Sequence, residues 1–175
     1  MSKRVAISGR MEYLRGGDQG NISAPVVLRE VYNNSGGALV RGDVVVWDHA
    51  NSTVDLLAVK TTTTAQDPDV AGVCYEAIAS TGIGYIQIEG PFKFLKANGT
   101  TDIAAGDKLA TFTTAKIAAK TTGQGAFAVA YEAYTTDDSS GVIDAWIANT
   151  TMGPAASGIT SPTFAAITIS GTNAI

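Results

Sequence analysis

Residues 34–48 read NSGGALVRGDVVVWD, and the same order of features returns in shorter form at residues 98–111, which read NGTTDIAAGDKLAT. Each stretch opens with an asparagine and a turn of small residues. Each then places an apolar residue three positions before a Gly-Asp pair, Gly42-Asp43 in the first stretch and Gly106-Asp107 in the second. A single shared Gly-Asp pair could arise by chance, so a repeat requires further matches in the same order.

Two more features follow each pair in the same order. The run VCYEA at residues 73–77 corresponds to VAYEA at residues 129–133. A strand-like run that begins with glycine closes each copy, and here GYIQI at residues 84–88 corresponds to GVIDA at residues 141–145. Four matches in one order, with gaps confined to loops, predict a duplicated β-module.

The residues between these features indicate strands throughout. PVVLREVY at residues 25–32 is β-branched and apolar, with proline in the first position, where a strand tolerates it. DVVVWD at residues 43–48 has apolar residues on both faces, which predicts burial on two sides. The second copy is eight residues shorter between its Gly-Asp pair and its Tyr-Glu run, so we expect most of Thr61–Asp69 to be a loop insertion. No window shows helical spacing, and we predict an all-β, compact, barrel-like fold.

The chain divides into three parts by composition. We predict an extended N-terminal arm at residues 1–24, a β-domain at residues 25–148 and a tail at residues 149–175. The two copies within the β-domain span residues 34–90 and 98–147. The tail has too few apolar residues to fold alone.

The arm has several glycines and few apolar side chains, so it cannot form a core of its own. We predict that it lies extended on neighbouring chains and is held there by backbone pairing, as when a segment adds a strand to a sheet edge. Its larger apolar side chains are the candidate anchors for partner binding: Ile7, Met11, Tyr13 and Leu14.

The composition narrows the classes of function. Charged residues make up 16% of the chain, well below the usual quarter or so, which indicates uncharged surface that lies against neighbours. The net charge of −4 argues against a nucleic-acid partner, because phosphate backbones bind basic patches. No run approaches the roughly eighteen apolar residues of a membrane span, and no signal-like segment is present. We expect synthesis in the cytoplasm and no membrane partner.

The residues that could carry chemistry favour structural roles. His49 is the only histidine, and no serine or cysteine has a His–Asp pattern near it. Glu76 and Glu132 could form an acid–base pair, but repeat-equivalent residues usually do equivalent structural work. Asp67-Pro68-Asp69 and Asp137-Asp138 lack the alternating ligands of a calcium loop. We therefore expect no enzyme activity, no catalytic residue, no metal and no cofactor.

Arg41-Gly42-Asp43 spells a cell-adhesion tripeptide. The second copy has Ala105-Gly106-Asp107 in the same place, without the arginine. This indicates that glycine supplies a turn and that aspartate caps it, rather than that the protein is an adhesion module. Cys74 cannot form an internal disulfide and is expected to be a small buried residue.

Two segments and their second-copy echoes carry a family resemblance: VYNNSGGALVRGDVVVWD at residues 31–48 and VAGVCYEAIASTGIGYIQIEG at residues 70–90. In these residues the chain resembles phage capsid cement proteins, also called head decoration proteins. The resemblance covers about residues 25–148. It implies a barrel-like or β-tulip-like domain, usually trimeric, at the places where capsid subunits meet.

The same resemblance implies a structural virion protein on the outer surface of a phage capsid, assembled from protein made in the host cytoplasm. Its partners would be the major capsid protein and two further copies of itself, in a homotrimer. The shell would gain clamping across its joints against the pressure of packaged DNA. One alternative stays open: a subunit or anchor of a head or tail fibre, since FAAITISGTNAI at residues 164–175 could begin a fibrous β-structure.

Overall fold

The computed structural model describes residues 12–15, by their backbone, and residues 25–148. This part of the chain contains ten strands and no helix. The strands are β1 (Glu12–Arg15), β2 (Pro25–Asn33), β3 (Val44–Trp47), β4 (Ala58–Lys60), β5 (Val70–Cys74), β6 (Ile83–Asn98), β7 (Lys108–Thr111), β8 (Ala118–Thr121), β9 (Ala128–Ala130) and β10 (Gly141–Ile147). The predicted fold class is confirmed: the domain is all-β and barrel-like.

Five strands close into a first ring in the order β2-β4-β3-β5-β6, and β6 pairs back onto β2. The β2–β4 pair is parallel and the other pairs are antiparallel. Closure removes the unpaired edges that an open sheet would expose. The ring encloses an apolar core formed by Val27, Val31, Leu39, Val45, Trp47, Val59, Ala71, Cys74, Ile78, Ile86 and Ile88.

A second ring repeats the first in the order β6-β8-β7-β9-β10, and β10 pairs back onto β6. Its single parallel pair, β6–β8, stands where β2–β4 stands in the first ring. The 16-residue β6 belongs to both rings. Its N-terminal half pairs with β2 and its C-terminal half with β10, so one strand closes the first module and opens the second.

The repeat therefore begins one strand earlier than the sequence comparison placed it, and its first landmark is shifted by one residue. The comparison aligned Asn34 with Asn98. In the structure the side-chain Oδ1 of Asn33 accepts hydrogen bonds from the N–H and hydroxyl of Ser35, and Oδ1 of Asn98 accepts the same pair of bonds from Thr100. Asn33 is therefore the equivalent of Asn98. Sequence alone does not distinguish it from Asn34, because the two asparagines are adjacent.

The closing strands are also offset from the sequence alignment, which matched Ile86 with Ile143. Ile86 pairs with Cys74 at the end of β5, and the residue that pairs with the equivalent Ala130 is Ala145. The two closing strands are therefore shifted by two residues relative to the alignment. A register irregularity between Ile143 and Ala145 accompanies the offset, and nothing in the residue types marks it.

The eight extra residues of the first module are divided between two loops, and at most half of them lie in the loop that was predicted to contain most of them. Val59 pairs with Trp47 and lies twelve residues after it, whereas Ala118 lies seven residues after its partner Thr111. These antiparallel pairs place five of the eight extra residues in the β3–β4 loop and three in the β4–β5 loop, whereas the parallel pairs match Val59 with Ala119 and place four in each. The prediction that Thr61–Asp69 is mostly insertion is wrong, because the β4–β5 loop that contains it exceeds its counterpart by only three or four residues.

Strand β3 is buried on both faces, as its composition predicted. Val45 and Trp47 contribute to the core of the first ring. Val44 and Val46 belong to the other core cluster, together with residues of the second ring such as Leu109. Fully burying an apolar side chain of this kind contributes about 1.5–3 kcal/mol, so the outward-facing valines of β3 hold the two rings together as one body.

Part of the predicted arm is described. Strand β1, Glu12–Arg15, is extended and pairs antiparallel with the N-terminal half of β2 in the same chain. Of the candidate anchors, Ile7 and Met11 lie outside the described residues, as does the predicted tail. For Tyr13 and Leu14 the structure describes the backbone alone. Binding of the arm to a neighbouring chain stays a prediction.

Candidate interaction site at the shared strand

The Arg41-Gly42-Asp43 turn leads into β3 and lies across the shared strand. Gly42 has a φ of +89°, and a Cβ at this position would stand 2.2 Å from the carbonyl oxygen of Phe94. Its N–H donates to the carbonyl of Cys74 at 3.0 Å, and its carbonyl accepts from the N–H of Lys96 at 3.2 Å. Both the conformation and the close approach require glycine here.

The carboxylate of Asp43 is fully buried beneath this turn. One oxygen accepts the N–H of Val40 at 2.9 Å and lies 3.6 Å from Nζ of Lys116, and the other accepts from Nζ of Lys96. Both lysines come from the half of the chain that builds the second ring. A buried carboxylate is stable only when it is paired in this way, so Asp43 ties the turn to the second module. Its burial also makes it inaccessible to an adhesion receptor.

Arg41 lies above the turn with its side chain exposed. Its guanidinium carbon is 5.3 Å from the ring centre of Tyr75, 5.5 Å from that of Phe92 and 5.8 Å from that of Phe94. Cation–π contacts at exposed sites contribute about 0.5–1 kcal/mol each. No described acidic side chain forms an ion pair with Arg41. The guanidinium is therefore held in place by rings, and its hydrogen-bond donors have no partner among the residues that the structure describes.

Phe94 combines two unfavourable features. Its φ of +71° is uncommon for a bulky residue and costs roughly 1–2 kcal/mol, and its side chain is 55% exposed. Val40 and Val142 are about as exposed, and Val142 pairs with Lys96 on the neighbouring strand. We call Val40, Arg41, Phe94 and Val142 the Arg41 patch. Strain and exposed apolar surface at one place are typical of an interaction site.

The equivalent turn of the second module repeats the bond from its glycine to the Tyr-Glu run, with the N–H of Gly106 donating to the carbonyl of Ala130 at 2.8 Å, but it has no such patch. Gly106 has a φ of +91°, but nothing lies within 4 Å of where its Cβ would be. Asp107 accepts the N–H of Ala104 at 2.7 Å and pairs with Lys120 at 2.8 Å, in a partly exposed position. The hydrogen bond from Lys120 lowers the pKa of Asp107. Ala105 stands in place of Arg41. The patch exists only where a turn crosses the shared strand.

The two candidate acid–base residues, Glu76 and Glu132, form hydrogen bonds to the backbone. The carboxylate of Glu76 accepts the N–H of Tyr85 at 3.2 Å, and the carboxylate of Glu132 accepts the N–H of Asp144 at 2.8 Å. Tyr85 and Asp144 are equivalent positions on the two closing strands. The glutamates therefore do the same structural work in each module, as their place in the repeat indicated.

The remaining candidates also have partners or are shielded. His49 lies 3.8 Å from a carboxylate oxygen of Asp69, and Asp138 accepts from the hydroxyl of Tyr134 at 2.6 Å. Burial raises the pKa of the Cys74 thiol to about 12, so this residue stays protonated at neutral pH. Within the described ranges, no group of three or more histidine, cysteine or acidic side chains is placed to hold a metal ion.

Sequence reasoning identified the Arg41-Gly42-Asp43 turn but not the surface above it. The one sequence feature that marks this surface is Arg41 itself, which stands where the second copy has an alanine. The left-handed backbone of Phe94 and the exposure of Val142 depend on the register of the shared strand with β10, which the sequence does not encode locally. The structure also shows no helix long and apolar enough to cross a membrane in its described part.

No protein-family model matches the chain, and no curated protein matches it. Six solved chains match. One of them is the head fiber gp8.5 N base in bacteriophage phi29, with a TM-score of 0.49 and 12% sequence identity, covering 73% of this chain and 98% of that chain. A similarity of this size does not assign a function.

Proposed function

We propose that this protein is a structural virion protein that binds the outside of a phage capsid, at joints between major capsid protein subunits, and stabilises the shell. The resemblance of residues 25–148 to capsid cement proteins suggests this role. The observation that best supports a structural role in an assembly of this kind is the Arg41 patch, a surface suited to protein–protein contact: it presents a guanidinium with no acidic partner among the described residues, a strained half-exposed aromatic ring and two exposed valines. Arginine and aromatic residues of this kind are enriched where proteins bind each other.

A binding role fits better than catalysis, because the acidic side chains that were candidates for acid–base catalysis form hydrogen bonds and ion pairs that stabilise the fold. Glu76 and Glu132 accept backbone N–H groups, and Asp43 is buried between two lysines. A clamp across capsid joints needs a rigid body and contact surface rather than a reactive group. The two closed rings, joined by β6, supply such a body.

The arm supplies a second mode of attachment in this proposal. Strand β1 adds to the free edge of β2 beyond the point where β4 pairs, which illustrates how the arm gains main-chain hydrogen bonds from a sheet edge. In a homotrimer three arms act together, so the effective concentration of the second and third contacts is high. We propose that the arms bind neighbouring chains, in the trimer or on the capsid.

Deletion of residues 1–20 tests this role. We expect the truncated protein to keep its β-sheet circular dichroism, because the first ring closes through β6 without β1. Binding to capsids that lack the protein, measured by co-sedimentation, should fall at least about tenfold. Burial of each anchor side chain contributes roughly 1.5–3 kcal/mol to binding. Fixing the backbone of each arm residue costs roughly 1–2 kcal/mol of conformational entropy. Because these two free energies nearly cancel, a single anchor binds weakly, and the arm is held only when several anchors bind at once.

A full-length variant with serine at all four anchors separates side-chain contacts from backbone pairing. The anchors are Ile7, Met11, Tyr13 and Leu14. We expect this variant to bind more weakly than the unaltered protein and more tightly than the deletion. Undiminished occupancy and unchanged capsid stability with both variants would refute the role of the arm.

A further inference from the structure

The β3–β4 loop is a second surface that folding alone does not explain. Val54 is fully exposed at its tip, with a relative exposure of 101%. Asp55 beside it is exposed and forms no ion pair with any described residue. This loop contains four or five of the eight residues by which the first module exceeds the second. The loop therefore adds to the first module an exposed apolar side chain and a carboxylate without a described partner, and a binding role requires a surface elsewhere that matches these two groups.

The tip is held in a fixed shape. The N–H of Thr53 donates to the carbonyl of Leu56 at 2.8 Å, and the N–H of Leu56 donates to the hydroxyl of Thr53 at 3.1 Å. Below the tip, the hydroxyl of Ser52 donates to the carbonyl of Asp48 at 2.8 Å and accepts the N–H of Ala58 at 2.9 Å. A rigid tip loses little conformational freedom on binding.

The tip and the Arg41 patch have matching chemistry. The tip presents one apolar side chain, Val54, beside an unpaired carboxylate on Asp55. The patch presents apolar surface around Phe94 beside the unpaired guanidinium of Arg41. An arginine already oriented by three rings forms an ion pair at a lower entropic cost than a free one.

The two surfaces of one molecule point away from each other. The Arg41 turn precedes β3 at Val44, and the loop follows β3 at Trp47. They therefore leave opposite ends of a strand that spans about 13 Å. A contact between them joins two molecules head to tail, the type of contact that generates closed rings such as trimers when the rotation between copies closes.

We infer that the Thr53–Leu56 tip of one molecule binds the Arg41 patch of a second copy of this chain. Val54 packs on Phe94, and Asp55 pairs with Arg41. The tip and the Arg41 turn both belong to the first module, and neither is repeated in the second, which has Ala105 in place of the arginine and a shorter β7–β8 loop. Each molecule thus contributes one tip and one patch. The inference names the surface for the self-association in the proposed function and does not depend on capsid binding.

Charge reversal tests the contact by sedimentation velocity over a range of concentrations. We expect Arg41→Glu and Asp55→Arg each to weaken self-association about tenfold or more, and the double variant to recover most of that loss, since paired reversals restore an ion pair. Asp137→Arg changes the net charge as Asp55→Arg does but lies on an exposed turn of the second module, so it should leave self-association unchanged.

Asp55 is on the surface of a loop, so its reversal cannot act by unfolding the core, and thermal melting checks Arg41→Glu. A monomeric unaltered protein at all concentrations, an unchanged equilibrium in Asp55→Arg, or no recovery in the double variant would overturn the inference. Co-sedimentation of the same variants with capsids keeps the two proposals apart. Charge-dependent self-association without capsid binding would refute only the proposed function.

Discussion

Replacement of Asp43 by alanine is expected to lower the free energy of unfolding by about 3–5 kcal/mol, the usual cost of removing one partner from a buried ion pair. The carboxylate is fully buried and meets two lysines and the N–H of Val40. Its removal leaves Lys96 and Lys116 without their anion beneath the turn. The loss should appear as an earlier midpoint in urea unfolding with an unchanged slope.

The repeat supplies a matched control for this experiment. Asp107→Ala removes the equivalent carboxylate, which caps the equivalent turn and pairs with one lysine in a partly exposed position. Exposed ion pairs contribute little to stability, so this variant should be clearly less destabilised than Asp43→Ala. Equal losses in the two variants would show that burial against the shared strand is not what makes Asp43 important.

Gly42→Ala is expected to be the second most damaging change, and it should lower the free energy of unfolding by about 2–5 kcal/mol. A left-handed backbone alone costs a residue with a Cβ roughly 1–2 kcal/mol, and Gly42 has a φ of +89°. Here the added Cβ would also stand 2.2 Å from the carbonyl oxygen of Phe94, which is backbone and cannot rotate away. Forcing the two apart adds about 1–3 kcal/mol, as in other overpacked sites.

Gly106→Ala separates these two costs. Gly106 has nearly the same φ, but its Cβ would meet nothing within 4 Å. This variant should lose only the conformational part, about 1–2 kcal/mol. Urea unfolding of both variants gives the difference directly. A difference close to zero would contradict the contact between the Arg41 turn and β6.

The sequence was sufficient for the fold class because the repeat is carried by residues with defined local roles. Gly42-Asp43 and Gly106-Asp107 make the same turn, and the Tyr-Glu runs place Glu76 and Glu132 on the same backbone contact. Such roles depend on a few neighbouring residues and can be recognised from residue type. The two-sided burial of β3 was predictable for the same reason.

The register of the repeat was not predictable in the same way. The sequence comparison treated residues 34–90 as a complete copy, whereas the first module begins with β2 and the second begins inside β6. A strand that serves two rings has no counterpart in a residue-by-residue alignment. The backbone of Phe94 is a second feature that the sequence does not reveal, because its left-handed φ lies at the register irregularity between β6 and β10, between the pairs Phe92–Ala145 and Leu95–Ile143.

The candidate site depends on that same register irregularity between β6 and β10. Arg41 was visible in the sequence as the residue that the second copy lacks, and its exposure and its three aromatic neighbours follow from tertiary packing. The β3–β4 tip was hidden for a related reason. The length difference between the modules was assigned to Thr61–Asp69, since the sequence does not show where β4 begins.

Cryo-electron microscopy of the native particle is the most direct test of the capsid-binding proposal. We expect density for the double ring on the outer surface of the shell, repeated at symmetry-related joints between major capsid protein subunits, with the Arg41 patch at a protein contact. Absence of the protein from the outer shell would contradict the proposal. Density at a single site at the base of a fibre would contradict it as well, and would favour a fibre anchor.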